Sequence, residues 1–199
     1  MNNEMPDIHA EELKKDPEFL ANIERLEKEC RDQQSIAKGY QLLDARLIIE
    51  SPEEEINEIF TFIVNNAFDK LAEKLTERKS FDMGDVEDIA TARAIYEHAM
   101  QRYSENDMKG AKEMFLVLNY TMDRAGLKDA MMVHACAVMA GKSFEEFVES
   151  MVDMEGIDVH DPLAFFIQSF TQPTDILLTM FSKYVKQGEE ELKVLDESR

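Results

Sequence analysis

Apolar residues recur at intervals of three and four along most of this chain, and that period predicts helices. Asp16-Pro17 reads as an N-cap followed by proline at the first helical position, where a missing N–H costs nothing. Phe19, Ile23, Leu26 and Cys30 then fall on one face. Gly39 is expected to interrupt this helix before Tyr40, Leu42, Leu43, Leu47 and Ile48. Ser51-Pro52-Glu53-Glu54 combines a cap, a proline and acids where the helix dipole favours them, and Ile56, Ile59, Phe60, Ile63, Ala67, Leu71 and Leu75 make a long stripe behind it. The pattern breaks across residues 80–84, and a new helix is predicted from Asp85. Shorter helices follow, with stops at residues 104–107, Gly126, Gly141, Gly156, Gln172-Pro173 and Gly188. Ser143 with Glu146 is a capping box, Asp161-Pro162 repeats the cap-plus-proline start, and the charged end from Glu189 to Arg199 is expected to fray. No stretch alternates apolar and polar residues long enough to compete as a strand, so the predicted class is all-α.

Short helix pairs at fixed spacing invite a repeat test. Tyr96, Ala99, Tyr103, Ala111, Phe115 and Leu118 stand at tetratricopeptide offsets, with small residues where two helices of a hairpin cross. Ala135 lies 36 positions after Ala99, Phe144 lies 36 after Met108, and Ser169 lies 34 after Ala135. Spacing favours tandem hairpins over an irregular bundle and leaves both open. The expected architecture is N-terminal long helices followed by about three tetratricopeptide-like hairpins forming a short concave solenoid. Its divisions are a flexible N-terminus (1–15), an N-terminal helical segment (16–80), the repeat domain (81–187) and a charged tail (188–199).

Composition then narrows the function. The chain has 199 residues and a mass of 23.0 kDa, with 22 basic against 42 acidic side chains for a net charge of −20. Such a surface repels phosphate backbones and anionic headgroups, so nucleic acid and membrane insertion are not expected. Seven glycines and five prolines leave turn-rich barrels and phosphate-cradling loops poorly supplied. Cys30 and Cys136 lie in apolar helical patterns without CxxC spacing and read as buried hydrophobes in a reducing compartment. The first 15 residues lack a basic region followed by an apolar block, and the longest apolar run, Ala130 to Ala140, is interrupted by His134 and is too short to span a bilayer. The expected location is the cytoplasm.

Catalytic chemistry finds little support. Bundle di-metal sites use Glu-x-x-His, and none of His9, His98, His134 or His160 has glutamate three positions before it. There is no Walker-type loop, G-x-S-x-G or H-E-x-x-H, and Cys136 has no evident histidine partner. Neither a metal nor a cofactor is expected, and the chain does not read as an enzyme. Methionine, at 13 residues, is the more informative anomaly, because thioethers suit irregular cores or surfaces that accept varied apolar ligands.

The stretch from Ser80 to Asp123 resembles the opening of the class II type III secretion chaperones, small tetratricopeptide proteins that hold translocator subunits before export. Ile95-Tyr96-Glu97-His98-Ala99-Met100-Gln101-Arg102-Tyr103 matches their Leu-Tyr-x-x-Ala-[Phe/Tyr]-x-x-Tyr helix, and Ala111, Phe115 and Leu118 match Ala-x-x-x-Phe-x-x-Leu. A fainter resemblance runs through Met132 to Phe147 and Asp161 to Phe166. It implies a concave surface that takes an extended segment of a secreted, apolar translocator-like protein and keeps that protein soluble. The matching wall would be Tyr96, Met100, Tyr103 and Met108 in the first repeat, and Met131, His134 and Val138 in the second. For the tyrosines, packing within the hairpin is the competing role. The N-terminal helices would pack on the repeats, contact cargo or form a homodimer. The alternative function is a tetratricopeptide-like scaffold or regulatory adaptor for a folded partner.

Overall fold

The computed structural model describes residues 10–158 and 160–197, and among these it is all-α, with ten helices and no strand beyond two isolated bridges. His9, and the first nine residues of the segment expected to be flexible, lie outside the described residues. The chain divides into two compact units, Met1–Lys70 and Leu71–Arg199. The division falls inside a helix, ten residues before the boundary expected after residue 80.

In the first unit, a single turn, α1 (Ala10–Leu13), precedes α2 (Pro17–Gln33), α3 (Ile36–Ile48) and the start of α4 (Glu53–Glu77). Asp16 caps α2 as expected, its carboxylate accepting from the backbone N–H of Glu18 at 2.8 Å. The break before α3 comes earlier than Gly39: Gln34 takes a left-handed conformation at φ 48° and Ser35 caps the new helix at the Lys38 N–H. Gly39 therefore sits inside α3, where its missing side chain has a different use. A Cβ there would stand 2.8 Å from Ile63 Cγ1, so glycine is what lets α4 approach α3 this closely. Ile23, Leu26, Leu42, Ala45 and Ile49 form the core of this unit, with Leu13, Phe19 and Ile59 packed against it.

The second unit takes the last turns of α4 and then α5 (Val86–Ser104), α6 (Met108–Thr121), α7 (Ala125–Met139), α8 (Phe144–Met151), α9 (Thr174–Met180) and α10 (Ser182–Glu197). Asp85 caps α5 at the Asp88 N–H, and Asp107 caps α6 at Gly110. Between them Asn106 reverses the chain at φ 64°, a left-handed conformation that asparagine adopts at little cost. The predicted stop at Gly126 comes slightly earlier, at residues 122–124, and Gly126 lies in the first turn of α7. Gly141, at φ 77°, turns the chain out of α7, and Ser143 with Glu146 makes both bonds of the predicted capping box.

Where a third hairpin was expected, the chain does something else. Residues 160–173, here called the strap, form no helix, although Leu163, Phe166 and Phe170 have helical spacing. The reason is tertiary: Asp153 donates its N–H to Ser169 O at 3.0 Å and Thr171 donates to Met151 O at 2.8 Å, which fixes the base of the strap as an antiparallel bridge between Val152 and Phe170. Helices α9 and α10 then pack back on α7, and α10 also on α6, instead of continuing a stack. Gly188 does not end α10. The helix continues to Glu197, Gly188 packs against Leu116 and Met132, and Lys112 on α6 pairs with Glu191 at 2.6 Å.

Candidate functional site

Five of the seven residues expected to form an open wall form a core instead. Tyr96 is 2% exposed, Tyr103, Met131 and His134 are 0% exposed, and Val138 is 5% exposed, while Met100 and Met108 are half-buried. The physical cause is the setting of α7: Leu127 and every residue from Ala130 to Val138 are buried, because α6, α9 and α10 pack on this helix and the strap reaches its His134. The sequence carried a signal for this, since Ala130 to Ala140 is apolar on all sides apart from His134, and a helix apolar all round belongs in an interior.

His134 is the hub of an aromatic cluster, with ring centroids at 4.8 Å from Phe147, 4.9 Å from Phe115, 5.5 Å from Tyr96 and 5.9 Å from Phe170. Its protonation follows from its partners. Nδ1 lies 2.7 Å from Ala130 O, which can only accept, so Nδ1 carries the hydrogen. Nε2 is then an acceptor, and Tyr96 must donate its hydroxyl to it across 3.1 Å. The same hydroxyl oxygen accepts the Ile167 N–H of the strap at 3.1 Å. A relay therefore runs from the strap backbone through Tyr96 and His134 to α7. Burial among apolar rings pushes the His134 pKa down to about 4 and raises that of the Tyr96 hydroxyl, so both groups are neutral near pH 7.

The strap adds side-chain anchors. Leu163 and Phe166 are buried, with Phe166 edge-on to Tyr96 at 5.2 Å, and Arg93 on α5 lies over the Phe165 ring at 5.1 Å. Tyr103 is committed elsewhere, donating to Lys142 O at 2.8 Å and packing on Phe144 and Phe147. Cys30 and Cys136 are both buried, and burial pushes the Cys136 thiol up to about 12. Among the described residues no three His, Cys, Asp or Glu side chains come together as a metal-ligand set, and no helix is long and apolar enough to cross a membrane.

A second feature escaped the sequence altogether. In the first unit a cleft of about 470 Å³ opens between α2, α3 and the start of α4. Cys30, Leu42, Ile59 and Phe62 line its apolar part, with Glu27, Arg31, Arg46, Glu55 and Glu58 around them. These acids and bases look like ordinary helix-surface residues in the sequence, and only the packing of three helices brings them to one mouth. The chain matches no family model, no curated protein and no solved structure.

Proposed function

We propose that this chain is a cytoplasmic carrier that holds an apolar segment of a partner protein, in the manner of the secretion chaperones its middle region resembles, and that it acts by binding without catalysis. The observation supporting this reading is the bond from Ile167 N–H to the Tyr96 hydroxyl, with Phe166 set on the Tyr96 ring. The helical face around Tyr96 is thus fitted to hold a non-helical segment by its backbone and an aromatic anchor, the two contacts that an extended guest requires. In the free protein that place is taken by the chain's own strap. A guest enters by exchanging with the strap, which shields the aromatic cluster from water until then. The expected guest is a translocator-like, secreted apolar protein.

Co-expression with a membrane-inserting translocator subunit tests this reading. The subunit should remain in the supernatant as a stoichiometric complex, and the Ile167 amide should lose hydrogen-exchange protection within it. A subunit that sediments regardless of the chain, or a complex in which the strap stays fully protected, would reject the exchange.

A further inference from the structure

The cleft of the first unit has no part in the strap site, and its charges do not cancel. Glu27 bridges Arg31 at 2.9 Å and Arg46 at 3.4 Å, and Arg46 also reaches Glu55 at 3.0 Å, so both arginines are already engaged by acids of the same mouth. Glu58 stands beside them with no basic partner among the described residues, and Glu53 and Glu54, equally unpaired there, share the adjoining surface of α4 with it. Three glutamates against two arginines leave the mouth at −1, with Glu53 and Glu54 adding negative charge on the adjoining surface of α4.

One atom shows what kind of group is missing. Arg46 Nη1 is close to Glu55 Oε2 yet off the hydrogen-bond direction, and this oxygen, itself shielded from solvent, has no hydrogen-bond partner among the described residues. An acceptor without a donor, next to an apolar floor of Leu42, Ile59 and Phe62, is complementary to a group that brings an N–H and a hydrocarbon side chain together. The cleft is also large enough for a bulky side chain, at about 470 Å³.

We infer that the cleft is a docking site for a cationic, apolar segment of a partner protein. A leucine-sized or aromatic side chain enters between Leu42 and Phe62, and a neighbouring lysine or arginine is held by Glu55 and Glu58. This inference does not rest on the function proposed above, and its test leaves the strap untouched.

The probe is a fluorescent dodecapeptide of three Leu-Lys-Lys-Leu repeats, titrated with the full chain and read by anisotropy. Matched peptides of Ser-Lys-Lys-Ser and Leu-Glu-Glu-Leu repeats serve as comparisons. Because a chain of net charge −20 attracts any polycation, the deciding contrast is between two variants of equal charge change. One is Glu55→Gln/Glu58→Lys at the cleft; the other is Glu189→Lys/Glu190→Gln on α10. Circular dichroism checks that both keep their helix content. The inference expects the cleft variant to lose about tenfold in affinity and the α10 variant less than about twofold, with the serine peptide also about tenfold weaker. Equal losses in the two variants, or serine and leucine peptides that bind alike, would show charge attraction alone and overturn the site. Tight binding of the Leu-Glu-Glu-Leu peptide would overturn it as well.

Discussion

Replacing Tyr96 by phenylalanine removes one oxygen atom and keeps the ring that packs on Phe115, His134 and Phe166. Two groups lose a partner: the Ile167 N–H, which donated to the hydroxyl, and His134 Nε2, which accepted from it. An orphaned buried polar group costs about 1–3 kcal/mol. Ile167 is half-buried and belongs to a non-helical segment, so its amide can turn partly toward water and falls at the low end, about 1 kcal/mol. His134 is 0% exposed and held on a helix, so its nitrogen falls near the middle of the range, about 2 kcal/mol. The expected loss is therefore about 3 kcal/mol. Urea unfolding followed by near-ultraviolet circular dichroism measures it, since the chain has five tyrosines and no tryptophan. Hydrogen exchange supplies a local readout: the Ile167 amide should lose protection while the Asp153 amide, bonded to Ser169 O, keeps it. A loss below about 0.5 kcal/mol, with Ile167 still protected, would refute both the direction of the relay and its role in seating the strap.

Three further outcomes follow from the same structure. The His134 pKa is depressed from 6.5 to about 4, so its contribution is complete above pH 6.5 and is lost as pH falls toward 4; about 3 kcal/mol is at stake, and in urea titrations across that window His134→Phe should show a shallower decline than the parent. Gly39→Ala gains about 1 kcal/mol of helix propensity but drives a Cβ into the fully buried Ile63, so a net loss of about 1–2 kcal/mol should appear as a lower urea midpoint; an increase would contradict the close approach of α3 and α4. Ser143→Ala removes the cap of α8 and should cost about 1 kcal/mol by the same assay, whereas Ser143→Thr should keep most of the stability.

The local chemistry of helix ends was legible because it is written in adjacent residues. Asp16-Pro17, Asp85 and the Ser143–Glu146 box each start a helix where the sequence places one, whereas Asp161-Pro162, which has the same cap-plus-proline form, starts none. Glycine was misread three times. Gly39, Gly126 and Gly188 all lie inside helices, and Gly39 and Gly188 are there because a neighbouring side chain needs the room, a demand that local pattern does not reveal. The strap was misread as a helix because Asp161-Pro162 has the form of a cap and Ser169 lies 34 positions after Ala135, while the bonds that prevent a helix come from Met151 and Asp153 across a loop. The candidate wall failed through a choice between two meanings of the same residues. Tyrosine, methionine and histidine at repeat spacing fit a groove, but the uniform apolarity around His134 already pointed to an interior. The cleft of the first unit was invisible because Arg46 and Glu55 acquire meaning only when three helices meet.

The two backbone bonds at the base of the strap also set how costly it is to lengthen the segment. They close the segment into a ring whose tip, around His160 and Asp161, is exposed while its base is fixed. Lengthening a ring already closed at its neck carries only a logarithmic entropy penalty, about 0.6 kcal/mol for each doubling. Insertions at that tip are therefore inexpensive, so the cover can be lengthened without disturbing the aromatic cluster beneath it.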